Sequence, residues 1–316
     1  MKKITYILFL SLIFSQNTGG YPGAGFRYGT NAREVSMGGS MNSVYNKGFN
    51  SFSNPALLSK VKTDEYGLSY FSMSLDRSIQ CFSISTPLPP SASASLSIMR
   101  VGIDDITTTN SSGNIIDEIG SYEGYGMLSF GNQFGKLAIG INIKAFKNQL
   151  TSSYSADGIG VDLGMIYTLS DYSVFGLSIQ NLSSTYNWNF DYNNSNIQYE
   201  ESLPHLISLG YSYTADKFII TGQGDALFLN HEDILINDEV EFGYRIGTEV
   251  NMVDIADIPL MLRMGLYYSG GKLQYALGCG VLFDLEDKIK LEFNYALDPG
   301  IMGEGLSHLI TFSVLN

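Results

Sequence analysis

His205, His231 and His308 are the first residues to question for chemistry, because imidazole is the commonest metal ligand and proton shuttle. They lie far apart in the chain, and none sits in the spacing of a metal site. No Gly-x-Ser-x-Gly, His-Glu-x-x-His or phosphate-loop pattern occurs, so no nucleophile, metal-activated water or phosphate cradle is legible. Asp104–Asp105 and the acidic run from Glu232 to Glu239 could attract calcium. Their spacing matches no known calcium loop, and solvated surface is the plainer reading. The expectation is no catalytic residue, no metal and no cofactor: the chain does not read as an enzyme.

A second set of charges is placed differently. Lys144, Asp162, Glu241, Arg245, Glu249, Arg263, Lys290 and Glu292 each occupy the polar side of a stretch whose alternate residues are apolar. In KIKLEFNYAL (288–297), Ile289, Leu291, Phe293 and Tyr295 alternate with Lys288, Lys290, Glu292 and Asn294. A strand sends successive side chains to opposite faces, so one face is greasy and the other charged. Both signs occur among the charges. They fit ion pairs lining a wet or plugged lumen, or the walls of a selective path.

The elements that must hold these charges recur along the chain. KLAIGINIKAF (136–146), GIGVDLGMIY (158–167), EVEFGYRIGTEV (239–250) and KLQYALGCGVLF (272–283) repeat the same split. About fourteen such runs are found, most of about 9–13 residues, longer than ordinary globular strands and suited to crossing a bilayer at a tilt. The gaps alternate as well. They are short at 132–135, 170–171, 215–216 and 284–287, and long at 102–119, 148–156, 183–202, 229–238 and 298–305. Two gaps, 74–77 and 269–271, break the rule. Short turns on one side and long loops on the other are the habit of outer-membrane barrels. The spacing therefore predicts an all-β, antiparallel transmembrane β-barrel of about 14 strands. Its apolar face meets lipid and its polar face looks inward. A soluble β-sandwich or lipocalin-like barrel, with the apolar face in a core, is the alternative.

Bulk composition agrees. Charged residues make up only 16% of the 316, mean hydropathy is +0.04, and 34 Gly, 21 Tyr and 18 Phe stand against one Trp. A formal charge of −13 leaves no basic stripe for nucleic acid. Lys2 and Lys3 followed by apolar Ile4 to Phe14 and small Ser15 read as a secretory signal peptide over 1–15. Cys81 and Cys279 each sit in a strand pattern and are expected to stay unpaired.

Ahead of the first strand lies NAREVSMGGSMNSVYNKGFNSFSNPALLSK (31–60). Its Ala32–Gly39 block, with Gly38 and Gly39, and its Asn54-Pro55-Ala56-Leu57-Leu58 block resemble the N-terminal signature of the PorV/PorQ family, within the FadL-like group of outer-membrane barrels. RVGIDDITTT (100–109), FGLSIQNL (175–182) and LPHLISLGYSY (203–213) look like further family blocks, in the same order. The final Asn316 departs from the aromatic that usually ends such barrels. The resemblance implies a hatch over 16–66 folded into the lumen of a barrel formed by 67–316, with Gly38, Gly39, Asn54, Pro55 and Ala56 as the hatch motif. It further implies a multi-pass protein of the outer membrane with a role in type IX secretion. Cargo proteins and other secretion components would be its partners. The wider group implies the alternative, passive uptake of a hydrophobic ligand. The aromatics of the 183–202 gap, Tyr186, Trp188, Phe190 and Tyr192, could grip a partner or ligand in an outer loop, or pack over the barrel mouth.

Overall fold

The computed structural model describes residues 21–151, 154–192, 195–229, 239–255, 258–285, 289–299 and 305–316. The signal peptide expected over 1–15, His231 and most of the acidic run from Glu232 lie outside the described residues. The strands are β1 (Glu65–Ser72), β2 (Arg77–Leu88), β3 (Ala92–Thr109), β4 (Ile115–Phe134), β5 (Leu137–Thr151), β6 (Tyr154–Ser170), β7 (Ser173–Leu182) and β8 (Thr185–Tyr192). They continue as β9 (Ser195–Ser202), β10 (His205–Thr214), β11 (Phe218–Leu229), β12 (Glu239–Ile255), β13 (Ile258–Ser269), β14 (Lys272–Asp284), β15 (Lys290–Asp298) and β16 (Ser307–Leu315).

Fourteen of the strands form a closed antiparallel barrel: β7 pairs directly with β10, and β1 closes on β16 from Glu65–Leu315 to Ser72–His308. The remaining two, β8 and β9, form a hairpin that pairs with the far end of β6. Closure leaves the barrel proper without an edge, which is the condition for placing a sheet in hydrocarbon.

The alternation read in the sequence is the alternation of the wall. Along β1 the pattern runs strictly buried, exposed, buried, exposed, with Leu68 and Tyr70 outward. Ile98, Leu128, Ile141, Leu209, Ile246 and Met264 are likewise exposed on the exterior of their strands. So many large apolar side chains on one continuous surface far exceed what a water-soluble protein exposes. Aromatics crowd the short-turn end: Phe134, Tyr167, Tyr172, Tyr213 and Phe218 all lie within a few residues of a tight connection and are exposed. That is the position of an interfacial aromatic girdle.

Three expectations about connections are corrected. The 102–119 gap is no long loop: β3 and β4 stay paired to Thr109–Ile115, leaving a turn at 110–114. The 148–156 gap is mostly strand, β5 and β6 staying paired to Thr151–Tyr154. The 183–202 gap is the β8–β9 hairpin. In these places the strands continue beyond the apolar belt, where no lipid demands an apolar face, so the period-2 signal fades while the ladder does not.

Candidate functional site

Residues 21–61 lie inside the cylinder. The sequence explains their irregular course. Asn31 caps the short helix Ala32–Ser36, its Oδ1 accepting from Glu34 N at 3.0 Å, while the Glu34 carboxylate accepts from Thr30 N at 2.9 Å. Asn31 thus satisfies one free amide of the first turn, and Glu34 reaches back to the residue before the cap. Gly38 and Gly39 follow with φ of 63° and 73°, so the helix ends in a left-handed turn that a side chain would oppose. Asn54 caps the 3₁₀ turn Pro55–Lys60, accepting from Ala56 N at 3.0 Å.

Contacts to the wall come from all round the circumference. Ala32 N donates to Thr311 on β16, and Ser40 lies 3.1 Å from Thr221 on β11. Asn42 donates to the Ser208 carbonyl on β10 at 2.7 Å, and Ser51 lies 3.1 Å from Ser97 on β3. Asn54 Nδ2, fully buried, lies within 3.0 Å of both Asn42 O and Asn42 Oδ1, clasping the middle of the segment to its last turn. Where the backbone touches the wall, the wall is glycine: a Cβ on Gly265 would stand 1.9 Å from Gly38 N. These inward glycines were visible in the sequence only as small residues on polar faces. Their recurrence at alternate positions is the signal that marks a footprint.

Ion pairs fix the segment further. Arg33 meets Glu249 in a fork, Nε to Oε2 at 2.8 Å and Nη2 to Oε1 at 3.0 Å. Arg263 shares Glu249 at 2.5 Å, donates to Asn294 at 2.7 Å and approaches Glu292 at 3.6 Å. Lys47 reaches Glu292 at 2.8 Å. Burial opposes the charge on Arg33, but Glu249 outweighs it and holds the guanidinium above its ordinary pKa. Three of the inward charges found in the sequence, Glu249, Arg263 and Glu292, are thus one network. The partners Arg33 and Lys47 went unassigned because they lie 216 and 245 residues from the carboxylates they bind.

The other inward charges form separate pairs. Lys144 sits 2.9 Å from Asp162 and over the ring of Tyr125. Arg245 binds Asp225 at 2.6 Å and stacks on Tyr267, its guanidinium carbon 4.5 Å from the ring centroid. Glu241 accepts from Ser269 and lies 3.8 Å from Arg27. Lys290 departs from the expectation: at the very start of β15 it stands at the short-turn rim, half exposed, 3.5 Å from Asp284. The aromatics expected in a loop stand instead on β8. Tyr186 is fully buried against Phe146, Trp188 donates to Glu201 at 2.7 Å, and Phe190 packs on Tyr154. They cover the rim of the wall; the Tyr192 side chain lies outside the described set.

Two cavities border the segment among the described residues. The outer one, about 550 Å³, lies under the long-connection end between residues 21–39 of the segment and the ends of β12, β13 and β14. The inner one, about 80 Å³, lies on the other side of residues 21–30, against β7, β10 and β11. Tyr21, Arg27, Gly29, Glu34, Gly39 and Arg245 border both. The inner cavity reaches Asn181, where the wall is irregular. Asn181 and Ser183 have φ of 62° and 50°, and the β6–β7 register slips between Val161 and Leu163. Asn181 N leaves the ladder and donates to Asp162 at 2.9 Å, while its Nδ2 donates to the Pro204 carbonyl. Beyond this point β6 pairs with β8, and the second edge of β9 has no strand partner among the described residues.

A closed fourteen-stranded wall, an apolar exterior with an aromatic girdle and a filled lumen together define a multi-pass outer-membrane β-barrel of the FadL-like fold. No family model matches the chain, and no curated protein matches it in sequence. Solved structures match in fold. The toluene transporter TbuX of Ralstonia pickettii superposes with a TM-score of 0.63 at 12% identity, over 91% of this chain and 98% of that one. The toluene transporter TodX of Pseudomonas putida gives 0.61 at 13%, over 90% and 97%. A Pseudomonas aeruginosa FadL homologue gives 0.57 at 11%, over 90% and 97%. These likenesses show a shared fold and give no support to the narrower PorV/PorQ assignment.

Proposed function

We propose that the protein is a passive channel through which small hydrophobic molecules enter across the outer membrane, with residues 31–60 acting as the hatch. The observation that carries this reading is the pair of cavities on either side of residues 21–30, the inner one ending at the irregular wall beside Asn181. A ligand from outside would settle in the outer cavity, pass residues 21–30 into the inner one, and leave sideways where the β6–β7 ladder slips. The straight route is blocked by the segment, which Arg33, Lys47 and Asn54 tie to the wall. The fold neighbours, toluene transporters among them, favour the same class of cargo. No bond chemistry is involved, and no cofactor enters the scheme.

Uptake of radiolabelled toluene by cells lacking their own hydrocarbon channels tests the proposal. Expression is expected to raise the initial rate several-fold. A disulfide between residues 40 and 221, whose hydroxyls lie 3.1 Å apart, each changed to Cys, is expected to lower it by fixing the segment to β11, with recovery under reductant. An uptake rate equal to that of the empty host, for toluene and for 4-methylphenol alike, would refute the channel.

One feature favours the secretion reading carried by the PorV/PorQ resemblance. The β8–β9 hairpin stands beyond the wall with a strand edge unpaired among the described residues, which could pair with an extended segment of a cargo protein. Removal of residues 185–202 separates the two readings. Cargo release at the surface would suffer under the secretion reading, and toluene uptake would continue under the channel reading.

A further inference from the structure

The lining of the outer cavity points to a narrower class of occupant. We infer, resting on the channel reading above, that this cavity selects small uncharged molecules that join a flat apolar body to a hydrogen-bonding group, in preference to bare hydrocarbons and to anions. The flat surface is tyrosine: Tyr21, Tyr28 and Tyr267 border the cavity. Each hydroxyl is anchored near a guanidinium. Arg27 donates to Tyr21 at 2.5 Å and to Tyr267 at 3.0 Å, and Arg77 donates to Tyr28 at 3.5 Å. Burial pushes the Tyr21 phenol above its ordinary pKa, so it stays protonated and can still donate. Val35 and Met73 complete an apolar floor.

Two exclusions follow from this lining. A hydrocarbon would cover N–H and O–H groups of Arg27, Arg245 and the tyrosines, displacing water without replacing its hydrogen bonds. An anion would find a lining with no excess of positive charge: Arg27, Arg245 and Lys272 share it with Glu34, Glu241 and Asp298. Arg245 is held by Asp225 at 2.6 Å, and Arg27 lies 3.8 Å from Glu241. A ring bearing a hydroxyl meets both demands: its face rests on tyrosine, and its hydroxyl exchanges bonds with the arginine-anchored phenols.

A matched set of probes tests the inference: propylbenzene, 4-propylphenol and 4-propylbenzoate, titrated calorimetrically into the full chain in lipid nanodiscs, with the heat of empty nanodiscs subtracted. The phenol is expected to bind about tenfold or more tighter than propylbenzene, because a site built around hydroxyl partners discriminates against the analogue lacking one. The benzoate is expected to be the weakest. Tyr267→Phe is expected to shrink the phenol's advantage to a few-fold. Propylbenzene binding as tightly as the phenol would overturn the inference and leave the channel reading intact, as would a benzoate that binds best. Absence of binding by all three would overturn the channel reading as well.

Discussion

At the scale of single residues, the interior is organised by charges that only make sense in pairs. Glu249 accepts from Arg33 and from Arg263, so its carboxylate is shared between the lumenal segment and the wall. Arg33→Ala leaves Arg263 in place but empties one side of the buried network. The expected loss is about 3 kcal/mol, read from the urea midpoint for folding into liposomes. Arg33→Met combined with Glu249→Gln should lose less than the sum of the two single changes, because the cation and the carboxylate of the fork are removed together, Arg263 keeping Glu292 at 3.6 Å. A single-variant loss below about 0.5 kcal/mol would mean that the fork carries no stability. The carboxylates of this network were legible in the sequence as charges on polar faces. Their partners were not, because strand periodicity says which side of a wall a residue faces and nothing about what meets it across the lumen.

At the scale of elements, strands were legible wherever lipid enforces alternation, as in β1, β5 and β14. Where β3 and β4 run past the apolar belt, Thr107 to Thr109 and Asp117 to Glu118 carry no such imprint, and the sequence looked like a loop. The hairpin of β8 and β9 was hidden for the same reason. Its alternate aromatics were noticed, yet their packing under the rim depends on Phe146 and Tyr154 from two other strands. The lumenal segment has no period at all, and only its capping residues and paired glycines announced a tight course. Its fit to the wall can be tested at two glycines. Gly265→Ala would drive a methyl into Gly38, where a Cβ would lie 1.9 Å from the amide nitrogen. Gly222, on β11, has nothing within 4 Å of a built Cβ. The first change is expected to cost about 1–3 kcal/mol by overpacking, and the second to fall within about 0.5 kcal/mol of the parent. Equal effects in the same refolding assay would place the segment elsewhere than against β13.

At the scale of the molecule, one physical demand accounts for most of the architecture. A sheet placed in hydrocarbon must close, face apolar side chains outward and fill or wet its interior. Here the interior is filled on the short-turn side by the segment and left hollow on the other, where the larger cavity lies. Spin labels can read that arrangement directly, one position at a time along β3. On a background without Cys81 and Cys279, single cysteines would replace Leu96, Ser97, Ile98 and Met99, and each label's collisions with oxygen and with a water-soluble nickel chelate would be compared in liposomes. Positions 96 and 98 are expected to collide strongly with oxygen and hardly with the chelate, as labels in a bilayer do. Positions 97 and 99, which pack against the segment and its neighbours, are expected to be shielded from both. The chelate reaching 96 and 98 as freely as water, or no alternation along the strand, would contradict a lipid-wetted barrel.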